Sequence, residues 1–259
     1  MPFAQLQVVR IHYDLAGPTG APALVFSNSL GANLSMWNPQ VTEFRKNFRV
    51  LRYDTRGHGQ SSATPGPYSI EQLARDVLSL LDQLNLDRVH FCGLSMGGQT
   101  GMWLALNAPS RLQKLALCNT AAKIGTPEMW NTRIENVRKG GMKSVSGAVI
   151  ERWLSEDYRA KSPEVVASTK IMFERTNPDG YLANCVAVGE YDVRETVASI
   201  RVPTLVIAGT LDAATTPADG RYLANHIPGA RYLELNAAHL SNIEDRSHFN
   251  SELNAFLLS

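Results

Sequence analysis

The stretch of the chain with the most chemical potential is Gly93-Leu94-Ser95-Met96-Gly97. A serine on a sharp turn between a strand and a helix is the arrangement of an acyl-transfer nucleophile, and G-x-S-x-G is its pattern. The turn needs small residues two positions to either side, because larger side chains would strike the adjacent strand and helix. Gly93 and Gly97 meet that need, and Gly98 adds room. A helix opening directly after Ser95 points its first N–H groups at the site and favours negative charge there. The competing reading is a glycine-rich turn without chemistry. A β-rich run before the pattern (Val89 to Cys92) and a helical run after it favour the nucleophile. A dinucleotide loop does not fit, since Ser95 stands where G-x-G-x-x-G needs its second glycine.

A serine hydroxyl is a weak nucleophile until a neighbouring base takes its proton. Histidine suits that role near neutral pH. Of the six histidines, His12 and His90 lie within predicted strands and read as structural. His226 and His248 lie on predicted helices and read as solvent-facing. His58, in Arg56-Gly57-His58-Gly59-Gln60-Ser61, occupies a tight loop where it could line a site, but it precedes Ser95. His239, in Ala237-Ala238-His239-Leu240, follows the last predicted strand, where a loop can lower an imidazole onto Ser95. It is the expected base. The group that orients it must accept a hydrogen bond from its other ring nitrogen. Asp212 follows the strand Thr204 to Ala208 and is the expected partner; Asp219 is the nearby alternative. A turn or helix cap is the non-catalytic reading of either. Two backbone N–H donors must also hold the oxyanion. Met96 is expected to supply one, and Leu30, in the loop Ser27 to Asn33, the other.

These side chains need a scaffold that brings them together. Short β-rich runs at Gln5 to Leu15, Ala23 to Phe26, Phe48 to Tyr53, Val89 to Cys92, Lys114 to Cys118, Thr204 to Ala208 and Arg231 to Leu235 alternate with helical patterns. One helix is capped by Ser69, with apolar positions at Leu73, Val77, Leu80, Leu81 and Leu84. Others run from about Met96 to Asn107, through Tyr222-Leu223-Ala224, and from about Ser247 to Leu258. This alternation predicts an α/β fold with a mostly parallel sheet covered on both faces. Between Ala121 and about Thr196 the alternation stops. The stretch is helical in pattern and punctuated by Gly140-Gly141, Ser162-Pro163 and Asn177-Pro178-Asp179-Gly180. The expected organisation is a core over 1–120 and 197–259 with a helical cap insertion over 121–196, above the carboxyl ends of the strands.

Together these motifs resemble the α/β-hydrolase superfamily over essentially the whole chain. The carrying residues are Asp54-Thr55-Arg56-Gly57-His58-Gly59-Gln60-Ser61, Gly93-Leu94-Ser95-Met96-Gly97-Gly98, Gly209-Thr210-Leu211-Asp212 and Ala238-His239. The order Ser95, Asp212, His239 is that of the family. The resemblance implies an eight-stranded sheet, a Ser-Asp-His triad and no cofactor or metal. Most relatives carry His-Gly where this chain has Asn28-Ser29. Asn-Ser-Leu-Gly followed by Met36-Trp37 resembles the 3-oxoadipate enol-lactonases of the β-ketoadipate route of aromatic catabolism. That resemblance implies an anionic lactone substrate and a cation in the pocket. Trp130 and Arg133 lie three apart in a helical stretch and share a face. Arg138 and Lys143 are further candidates, and a solvated surface charge is the competing and favoured reading of each cation taken singly. Ser29, Trp37, Met129 and Trp130 are expected around the substrate. A general carboxylesterase, a C–C bond hydrolase and a non-catalytic ligand-binding member of the fold are the alternatives.

Bulk composition agrees with a globular enzyme. The chain has 259 residues, 44% hydrophobic and 19% charged, and its net charge is +1. That balance leaves no electrostatic footprint for nucleic acid or an anionic membrane. No run approaches the ~20 apolar residues of a membrane span. The beginning lacks the features of a signal peptide, and three widely spaced cysteines argue against a disulfide framework, so a cytoplasmic location is expected.

Overall fold

A computed structural model describes residues 2–259. Its first half contains β1 (Phe3–Gln5), β2 (Arg10–Ala16), β3 (Ala23–Ser27), α1 (Asn38–Phe44), β4 (Arg49–Tyr53), α2 (Ile70–Gln83), β5 (Val89–Leu94), α3 (Met96–Asn107) and β6 (Leu112–Cys118). Five helices follow: α4 (Pro127–Gly140), α5 (Lys143–Trp153), α6 (Glu156–Lys161), α7 (Pro163–Glu174) and α8 (Pro178–Glu190). The chain then forms β7 (Thr204–Gly209), α9 (Pro217–His226), β8 (Arg231–Leu235), α10 (Ser241–Glu244) and α11 (Arg246–Leu258).

The strands make one eight-stranded sheet in the order β1-β2-β4-β3-β5-β6-β7-β8. β2 pairs antiparallel with both of its neighbours, β1 and β4; the other pairings are parallel. The single strand expected over Gln5 to Leu15 is instead a hairpin. Leu6 N–H donates to Val9 O (2.9 Å), and Ala4 pairs with Ile11. Neither glycine nor proline marks that turn, so the apolar run concealed it. Side chains of successive strand residues point to opposite faces. In β3, Leu24 and Phe26 join the core beneath α1 and α11, while Val25 joins the core beneath α2, α3 and α9. A strand buried on both faces therefore reads as a continuous apolar run. Ser69 Oγ accepts the Gln72 N–H (3.1 Å) and caps α2, whose buried stripe includes Leu73, Val77, Leu80 and Leu81.

β4 and β5 flank β3 on opposite sides, so the strand order reverses there. Open α/β sheets bind ligands at the carboxyl ends beside such a reversal. Ser27, the last residue of β3, is level with Gly93 of β5. The loop after β3 and the turn after β5 thus emerge side by side. Between β6 and β7, Gly141 (φ +68°) ends α4, Pro163 opens α7, and Asn177 Oδ1 accepts the Gly180 N–H (2.9 Å) to cap α8. The ends of this segment are stitched together where Val193 N–H donates to Ala122 O (3.0 Å). Among the described residues no helix is long and apolar enough to cross a membrane.

Candidate active site

Ser95 stands between β5 and α3 with φ +59° and ψ −115°. An L-residue holds such a backbone only under constraint. A Cβ on Gly93 would lie 2.1 Å from Gly97 O, and one on Gly97 would lie 2.3 Å from Ser27 O. The two glycines allow the turn to close that tightly. Ser95 N–H donates to Cys118 O (2.9 Å), and Thr120 Oγ1 donates to Ser95 O (2.8 Å). Gly97 N–H donates to Asn28 O (3.0 Å), which ties the loop after β3 to the turn.

Asp212 and His239 follow β7 and β8, neighbouring strands whose last residues, Gly209 and Leu235, are level. His239 Nδ1 lies 2.8 Å from Asp212 Oδ2. A carboxylate at that distance places the neutral ring's proton on Nδ1 and leaves Nε2 with a lone pair that can accept one. Asp212 Oδ1 accepts the N–H groups of Ala214 (2.8 Å) and Thr215 (3.0 Å). Its Oδ2 also accepts Thr215 Oγ1 (2.8 Å) and Asn119 Nδ2 (2.9 Å). Burial raises the pKa of this carboxyl, but His239 and the surrounding donors outweigh burial and hold it at about 2. Asp219 is elsewhere: it closes the capping box of α9, accepting the Thr216 N–H (2.7 Å).

Ser95 and His239 line one cavity of about 110 Å³, together with Ser29 and Leu30. Among the described residues no hydrogen bond closes between Ser95 Oγ and the imidazole; such contacts are commonly loose in unliganded enzymes. Among the described residues the backbone N–H groups of Leu30 and Met96 have no protein acceptor. Each lies next to the site, one after β3 and one after Ser95.

The rest of the cavity wall comes from the helices between β6 and β7. Met129, Trp130, Val149 and Trp153 supply apolar surface, and Arg133 and Arg152 supply charge. Trp130 Nε1 donates to Ile124 O (2.7 Å), which fixes the indole, and the Arg133 guanidinium lies 4.9 Å from its ring centroid. Neither arginine has a carboxylate within ion-pairing distance among the described residues. Burial, and then the charge of Arg133, pull the Arg152 pKa below its usual value. An anion in this cavity would relieve that repulsion. Arg138 and Lys143 are exposed and do not line the cavity.

Trp37 is a correction. It is 0% exposed and stacks on Phe26 with centroids 4.6 Å apart, with Phe249 beyond it. The short helical turn Leu34–Trp37 rotates the indole under the sheet rather than toward the cavity. Arg152, Trp153, Asn119 and Thr215 were not anticipated. Asn119 carried a usable signal, since it directly follows β6, beside the strands that present Ser95 and Asp212. Arg152 carried none, as its neighbours in space lie on another helix. Among the described residues no three or more His, Cys, Asp or Glu side chains are grouped to hold a metal.

This fold is that of an α/β hydrolase, and the alpha/beta hydrolase fold family matches residues 22–148. The chain belongs to that family and is a hydrolase. It is 43% identical over 251 residues to 3-oxoadipate enol-lactonase 2 of Acinetobacter baylyi, covering 97% of this chain and 94% of that one. The crystal structure of the enol-lactonase from Burkholderia xenovorans LB400 matches with a TM-score of 0.98 and 50% identity, covering 100% of both chains. A putative carbamate hydrolase of Pseudomonas syringae is 32% identical, covering 92% of this chain and 94% of that one.

Proposed function

We propose that the chain hydrolyses 3-oxoadipate enol-lactone to 3-oxoadipate in the β-ketoadipate route of aromatic breakdown. The observation that carries this reading is one small cavity shared by Ser95, an imidazole held by Asp212, and two guanidinium groups that have no carboxylate partner among the described residues. Similarity to enol-lactonases over nearly the whole chain supports the lactone as substrate.

His239 Nε2 takes the proton of Ser95 as Oγ bonds to the lactone carbonyl carbon. The carbonyl oxygen becomes an oxyanion held by the N–H groups of Leu30 and Met96. Collapse breaks the ring C–O bond. The released enolate stays tethered through the acyl chain, takes the proton from His239 and tautomerises to the ketone. His239 then removes a proton from water as it attacks the acyl carbon, and returns that proton to Ser95 Oγ as the acyl–Oγ bond breaks and 3-oxoadipate leaves. Asp212 accepts the Nδ1 hydrogen bond throughout and stabilises the imidazolium. Arg133 and Arg152 hold the substrate carboxylate against the apolar wall of Met129 and Trp130. Residues 121–196 act as a cap that supplies this recognition surface. Every cysteine is an unpaired, buried thiol, which supports a cytoplasmic location.

The test follows loss of enol-lactone absorbance beside a panel of neutral aryl esters, in wild type and Ser95→Ala. The expected result is preference for the lactone, labelling of wild type by a fluorophosphonate, and loss of both in Ser95→Ala. Equal or better turnover of the neutral esters would replace this reading with a general carboxylesterase.

A further inference from the structure

His58 lies on the loop after β4 and is 1% exposed. Its Nε2 accepts the Gly31 backbone N–H at 2.8 Å. The ring proton is then on Nδ1, which faces Arg56 O at 3.3 Å. Asn184 of α8 donates to the same Arg56 O (2.9 Å), and its Nδ2 lies 3.5 Å from His58 Nδ1. One imidazole thus touches the loop after β3 on one side and α8 on the other.

Gly31 is the third residue of a turn closed by Ala32 N–H to Ser29 O (3.1 Å). Its φ of +85° is the type II arrangement. Type I and type II turns differ by rotation of the central peptide, here Leu30–Gly31. Glycine accepts either sign of φ, so the backbone alone does not choose between them. Nor is a stiffer residue available, because a Cβ on Gly31 would lie 2.6 Å from the Phe173 ring. Something outside the turn must hold the peptide. Thr176 Oγ1 holds the Gly31 carbonyl (3.2 Å), but among the described residues only His58 holds the N–H of the central peptide.

We infer that His58 is a positioning residue for oxyanion stabilisation: by accepting the Gly31 N–H it locks the Leu30–Gly31 peptide, and so anchors the turn whose preceding peptide, Ser29–Leu30, carries the Leu30 N–H beside the cavity. A protonated ring would present a donor to a donor and lose this contact. Burial holds the imidazole down to about 4, so it is a neutral acceptor throughout the neutral range. The inference rests on the acyl-transfer reading of Ser95.

The test compares wild type with His58→Leu, His58→Asn and His58→Gln on the enol-lactone and on a neutral aryl ester. Glutamine can place an acceptor near the Nε2 position; asparagine is too short and leucine has none. His58→Leu and His58→Asn are expected to lower kcat about 10- to 100-fold, with KM changed by less than about threefold. His58→Gln should recover at least about tenfold of that loss. An alkyl boronic acid, which binds Ser95 as a tetrahedral adduct, should weaken in parallel with kcat/KM, while binding of 3-oxoadipate holds steady. If His58→Leu does not fold, the His58→Asn and His58→Gln pair decides. Unchanged kcat in the acceptor-free variants, equal weakening of boronate and 3-oxoadipate, or no recovery in His58→Gln would each overturn the inference. A wild type inactive on both substrates and unlabelled by fluorophosphonate would instead overturn the acyl-transfer reading.

Discussion

Asn119 donates its side-chain amide to Asp212 Oδ2 at 2.9 Å, the oxygen that also faces His239 Nδ1. The same amide reaches Ala238 O (3.2 Å), and Asn119 Oδ1 accepts a hydrogen bond from Ser241 Oγ (2.5 Å). Asn119 thereby joins the ends of β6, β7 and β8 at one point. It takes φ +44°, a left-handed backbone that asparagine tolerates.

Asn119→Ala should therefore lower kcat/KM about tenfold, the equivalent of one lost charge-assisted hydrogen bond of about 1.4 kcal/mol. Steady-state rates on an aryl ester measure this. A wild-type rate would mean that Thr215 and the backbone donors hold Asp212 unaided.

Arg133→Met and Arg152→Met keep much of the side-chain volume and remove the charge. Each is expected to raise KM for the anionic lactone about tenfold, with neutral esters changed by less than about twofold. An equal loss on both substrates would assign the arginines to packing of α4 and α5.

Stability should fall as the solution is acidified. Burial holds His58 down from 6.5 to about 4, and His90 likewise through burial and the charges of Lys114 and Arg88. Below about pH 6.5 the unfolded chain binds protons that the folded chain refuses until about pH 4. The stability present at neutral pH is thus lost through that window, by about 3 kcal/mol for His58 alone. Asp212 extends the loss: its share is full above 3.8 and disappears as pH falls toward 2. Urea denaturation between pH 4 and 7 measures the slope, which should be shallower in His58→Gln.

Trp37→Ala should destabilise the fold by about 3–5 kcal/mol, the range for large-to-small changes in a core. KM of the remaining folded enzyme for the lactone should not move. A selective rise in KM would return Trp37 to the substrate wall.

How much of this was legible in the chain depends on what each residue's signal reports. The strand-helix alternation was legible because burial on both faces forces continuous apolar runs, as in Ala23 to Phe26. Ser95, Asp212 and His239 were legible as candidates because each combines a reactive type with a place just after a strand, where a parallel sheet presents its ligand-binding edge. Whether an aromatic such as Trp37 faces core or cavity is set by the rotation of a short helical turn, which apolarity does not encode. Arg152 meets Arg133 only because α5 packs against α4, and His58 meets Gly31 only because the loops after β3 and β4 emerge together. Residue type and order along the chain determined which groups stand as candidates for the chemistry. Tertiary packing alone decided which neighbours orient them, since hydrogen bonds and charge act across distances of a few ångströms that have no counterpart in sequence separation.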